Sequence, residues 1–141
     1  MATAVREISH FIGNAATAGT GTRRSDVFDP NTGAVQAQVT LGAQADLDAA
    51  MANALKAQPG WAATNPQRRA RVMFNFKALI EKNMDELAHL LSSEHGKVIA
   101  DAKGDIQRGL EVIEFACGVP HALKGEYTQG AGPGIDVYSM R

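Results

Sequence analysis

Between Leu41 and Asp46 the spacing of apolar residues changes from every second position to every third or fourth, and this divides the chain into a strand-forming and a helix-forming part. On the strand side, Val35, Ala37, Val39 and Leu41 alternate with Gln36, Gln38 and Thr40, the pattern of a half-buried strand. Asp29-Pro30-Asn31-Thr32-Gly33 precedes it. Proline presets one corner of such a turn and Asn or Gly accepts positive φ, so Asp26-Val27-Phe28 and the strand after Gly33 are predicted to form an antiparallel hairpin. Residues from 8 onward, with Ile8, Phe11 and Ile12 before Gly13-Asn14, also read as strand.

On the helix side, Leu47, Ala50, Met51, Ala54 and Leu55 share one face of a helix predicted to end near Pro59-Gly60. Asn65 caps a second helix with Pro66 at its first position, and Val72, Met73, Phe76, Leu79 and Ile80 form its buried stripe. Asn83 and Glu86 have the spacing of a capping box. It restarts a helix through Met84, Leu87, Ala88 and Leu91 that ends near Gly96. The last helix spans about 99–119, with Ile99, Ala102, Ile106, Leu110, Ile113 and Cys117 as its core stripe and Pro120 as its stop. Beyond Gly125 the glycines break helix, and Ile135, Val137 and Tyr138 form a closing strand.

With 14 basic and 15 acidic residues and no block of like charge, the chain has no footprint for nucleic acid or an anionic membrane. Its 141 residues hold one module. The N-terminus lacks a signal-peptide apolar core and no run is long enough to cross a bilayer, while one cysteine suits a reducing compartment. A cytoplasmic location is expected. Cys117 falls on the apolar stripe, so it reads as a core thiol and not a nucleophile, which needs an electropositive, partly exposed setting. His10, His89, His95 and His121 lack metal-site spacing, and no metal is expected. Gly130-Ala131-Gly132-Pro133-Gly134 and Gly19-Thr20-Gly21 lack the spacing of a phosphate loop, and Lys97 reads as a cation at a helix C-terminus. Asp105, Arg108, Val112 and Phe115 share the face of the last helix turned from its core stripe. Spacing alone allows Arg108 either an ion pair with Asp105 or Glu111 or a ligand contact.

FDPNTGAV (28–35), NPQRRARVMFNFKALIEKNMDELAHLLSSEHGK (65–97), EHGKVIADAKGDIQRGLEVIEFACGVPHALKGEY (94–127) and GAGPGIDVYSMR (130–141) resemble the methylmalonate- and malonate-semialdehyde dehydrogenases. These form the CoA-acylating branch of the aldehyde dehydrogenase superfamily. The resemblance implies an α/β fold, of which this chain holds the N-terminal portion: a hairpin, about four helices and the start of a β extension. Residues 1–124 would be the outer part of the NAD-binding domain and 125–141 the start of the oligomerisation extension, with the catalytic domain and its nucleophile beyond Arg141. It further implies NAD and CoA as cosubstrates, a semialdehyde substrate, a place in valine catabolism and a homo-oligomer. On this resemblance Arg108, in the RGLE-like motif, holds the substrate's distal carboxylate. No catalytic or cofactor-binding residue is assigned to the chain, which alone is expected to be inactive. A different aldehyde dehydrogenase is opposed by the DAKGDIQRGLE wording. The alternative in another class is a non-catalytic remnant that assembles through its β segments.

Overall fold

The computed structural model describes residues 5–141. In chain order it holds β1 (Arg6–Ile8), β2 (His10–Ile12), β3 (Ala15–Thr17), β4 (Arg24–Phe28), β5 (Val35–Thr40), α1 (Gln44–Ala63), α2 (Pro66–Lys82), α3 (Met84–His95), α4 (Ile99–Cys117), α5 (Val119–Ala122), β6 (Tyr127–Gly132) and β7 (Ile135–Tyr138). This is a mixed α/β arrangement, with β1 to β5 before the helices as the change of period predicts and β6 and β7 after them. The residues cluster into two compact units. One comprises the chain up to Ala63 with Ala88–Ala102, the other Thr64–Leu87 with Lys103–Arg141.

In the first unit β4 and β5 pair antiparallel, with an irregularity at Val27/Phe28. Their turn closes because Asp29 Oδ1 accepts from the amides of Asn31 (2.7 Å) and Thr32 (3.2 Å), while Gly33 takes φ 72°. The strand expected from residue 8 onward meets β1 only at Ile8, and its partner was not expected: Arg6, Glu7 and Ile8 run parallel to Ala37, Gln38 and Val39, making β5 the central strand. With neighbours on both edges, β5 does not alternate cleanly. Ala37 is buried and so is Thr40, whereas Val35, beyond the reach of β1, is exposed. The separate β2–β3 hairpin turns at Gly13 and Asn14, both at positive φ, the requirement of a tight two-residue hairpin turn.

Helix α1 runs through Pro59 to Ala63, past its expected stop, and no residue in it is buried. Leu47, Met51 and Leu55 of the predicted face are exposed, because among the described residues only β2 packs substantially on this helix. Where α3 ends, Gly96 takes φ 83° and its amide donates to Ser92 O (2.8 Å), closing the helix as the sequence predicts.

In the second unit, Asn65 Oδ1 accepts from Gln67 N (2.8 Å) and Pro66 occupies the first turn of α2, as predicted. The buried side of α2 is rotated from the expected stripe. Ala70 is buried and Met73, Lys77 and Ile80 are half-buried, but Val72, Phe76 and Leu79 are exposed. Asn83 does not form the predicted capping box; its Nδ2 donates backwards to Leu79 O (2.7 Å), serving the end of α2. The α4 stripe is as predicted over Ala102, Leu110 and Ile113, all buried, with Ile99 and Ile106 half-buried. Pro120 does not stop that helix. The break falls at Gly118, and Pro120 lies within the short α5. The glycine-rich segment after Gly125 is itself a strand: β6 pairs with β7, and Gly130 and Gly134 take φ 65° and 72°. The expected single closing strand is therefore the second half of a hairpin.

Candidate functional site

The candidate site is built on α4, whose 19 residues carry two different faces. At about 100° per residue, Arg108 lies roughly 160° around the helix from Leu110, so burying the leucine turns the arginine outward. Val112 and Phe115 follow at i+4 and i+7 on the same side, 69% and 78% exposed. Two large apolar groups beside one exposed cation are what a purely solvated helix face does not require. Among the described residues Arg108 forms no ion pair, so the bridge to Asp105 or Glu111 that spacing allowed is not made. A guanidinium in this position offers a planar fork of donors to a carboxylate, with apolar neighbours for the carbon chain behind it.

Cys117 departs from the fully buried core position expected for it. It is half-buried at the last residue of α4, where Gly118 has no side chain to cover the thiol. With Gln67, Phe74, Lys77, Glu114, Gly118 and His121 it lines an open cleft of about 520 Å3. Within this cleft Lys77 pairs with Glu114 (3.2 Å) and with Glu81, one helical turn along α2. Those two hydrogen bonds, Glu81 first, raise the lysine's pKa above its ordinary value.

Both glycine-rich segments already have an amide donated to a carboxylate. Thr20 N donates to Asp46 Oδ1 (2.8 Å) and Gly130 N to Asp136 Oδ1 (2.8 Å). A bound phosphate would meet negative charge at either place, so neither fits a dinucleotide's pyrophosphate. Asp46 is the feature that sequence reasoning missed. Its other oxygen accepts from Ala43 N (2.8 Å), satisfying a free amide at the start of α1. The Ala43 bond, more than that from Thr20 and the nearby His10, holds the carboxyl below the usual carboxylate range. An acidic residue in a first helical turn was the available signal.

The remaining candidates belong to the first unit. His89 and His95 are exposed on α3, His95 in its last turn, and Lys97 lies beyond that helix. His10 lines a cleft of about 450 Å3 with Gly42, Asp46 and Leu47. No group of three or more His, Cys, Asp or Glu side chains converges to hold a metal among the described residues. No helix among them is long and apolar enough to cross a membrane.

The chain is 42% identical over 132 residues to a malonate-semialdehyde dehydrogenase from Pseudomonas aeruginosa, covering 94% of this chain and 26% of that protein. A human mitochondrial methylmalonate-semialdehyde/malonate-semialdehyde dehydrogenase (acylating) is 36% identical over 137 residues, covering 97% and 26%. A solved methylmalonate-semialdehyde dehydrogenase from Oceanimonas doudoroffii superimposes with a TM-score of 0.89 at 43% identity, covering 96% and 28%. A solved structure from Sinorhizobium meliloti 1021, complexed with NAD, gives 0.90 at 59% identity, covering 97% and 28%. The chain thus spans about a quarter of the length of these relatives. A profile of the aldehyde dehydrogenase family matches residues 17–141, nearly the whole sequence, and the chain belongs to that family.

Proposed function

We propose that this chain is the N-terminal part of an oxidoreductase that converts methylmalonate or malonate semialdehyde to an acyl-CoA, and that Arg108 reads the substrate's distal carboxylate. The observation that carries this reading is the outer face of α4, where the Arg108 guanidinium, in no ion pair among the described residues, stands beside exposed Val112 and Phe115. In the reaction so read, NAD accepts hydride from the aldehyde carbon and CoA takes the acyl group after carbon dioxide is lost. This chain's share is orientation. Arg108 fixes the end of the substrate remote from the reacting carbon, and the apolar pair confines what lies between.

Residues 1–124 belong, on this reading, to the outer part of the NAD-binding domain, and 125–141 begin the extension that joins subunits into a homo-oligomer. The β6–β7 hairpin, exposed along its length except at half-buried Gly132, supports the latter and equally favours a second reading, a non-catalytic module that assembles through its strands. A bacterial cytoplasm is our proposed location, although the human relative is named mitochondrial.

The test is Arg108→Leu in an enzyme of full family length carrying this segment. The ratio of kcat/KM for a carboxylated semialdehyde to that for propanal is expected to fall, by about 2 to 5 kcal/mol in transition-state terms for a desolvated pair. An equal fall for both aldehydes, or none, removes Arg108 from substrate recognition. Purified residues 1–141 are expected to show no semialdehyde oxidation above a no-enzyme blank, since neither glycine-rich segment suits the dinucleotide and the only cysteine is Cys117. Turnover by that chain, free of contaminating dehydrogenase, would overturn the assignment of the chemistry to residues outside it.

A further inference from the structure

We draw no further inference here: the strongest candidate, the open cleft between α2 and the end of α4 lined by Lys77, Glu114, Cys117 and His121, carries nothing, because its lysine is already neutralised by two glutamates and nothing in the structure shows what a single half-buried cysteine there would take.

Discussion

Asp46 holds the loop at Thr20 and the start of α1 through one carboxylate, so its charge state governs two backbone contacts that are 23 residues apart in sequence, Thr20 and Ala43. Its folded pKa is depressed. A depressed carboxylate contributes stability above its unfolded value and loses it as pH falls through the folded one. The amide proton shifts of Thr20 and Ala43 are therefore expected to titrate together, with a midpoint below the usual carboxylate range, and Asp46→Asn should abolish the titration. A midpoint at or above that range would show that the carboxylate does not bind these amides in solution. The sequence revealed Asp46 only as the place where the helical period begins, because the Thr20 partner is brought to it by the fold and leaves no local spacing to read. Arg108 was legible for the opposite reason: the position of a side chain around a single helix follows from 100° per residue alone. Cys117 was half legible. Its stripe was right, but the break at Gly118 that uncovers it came one residue before the end near Val119 that Pro120 suggested.

At the scale of elements, most turns and helix starts were readable, whereas burial was readable on α4 but not on α1 or α2. The Asp29–Gly33 turn and Gly96 depend on a positive φ that few residues adopt, and Asn65-Pro66 on a side-chain cap followed by a residue with no donor to satisfy, so their chemistry is visible in the letters. The faces of α1 and α2 depend on what lies against them. Periodicity shows that Leu47, Met51, Val72 and Leu79 can be buried, but among the described residues each stays more than half exposed. The extension of α1 through Pro59 was not readable in the letters, since an interior proline removes a helical hydrogen bond and its ring crowds the carbonyl one turn back, a cost of about 3 kcal/mol that reads as a stop. Two glycines test where the elements press on their neighbours. A Cβ at Gly104, inside α4, meets nothing within 4 Å, so Gly104→Ala is expected to stabilise the helix by about 0.5 to 1 kcal/mol, read as slower amide exchange along α4. A Cβ at Gly21 would be driven into the carbonyl oxygen of Leu41. Gly21→Ala should therefore cost on the order of 1 to 3 kcal/mol and speed exchange in β4 and β5. Faster exchange in α4 of the Gly104 variant would mean that its glycine serves a contact or a bend.

For the whole molecule the area facing solvent is decisive. A compact monomer of this mass exposes about 7,000 Å2, and two separate bodies of half the mass together about 8,500 Å2. This chain exposes 10807 Å2, and among its described residues no large side chain is fully buried. Large apolar groups occur in both units on that surface, including Phe11, Leu55, Phe76, Phe115 and Tyr138. Residues 1–141 on their own are expected to associate, or to unfold without a sharp transition, when followed by sedimentation and thermal unfolding at low micromolar concentration. A monodisperse monomer with one cooperative transition would show that the chain carries a sufficient core. The buried apolar residues among those described are mostly alanine: Ala37, Ala88 and Ala102 in the first unit, and Ala70 with Leu110 and Ile113 in the second. Small side chains bring backbones close but remove little hydrocarbon from water. The heat capacity of unfolding rises with the apolar area released, about 12 to 15 cal/mol/K per residue in an ordinary domain, and this chain should fall below it. Its free energy would then curve only gently with temperature, so that cooling, which weakens proteins held by large apolar cores, would change this one little.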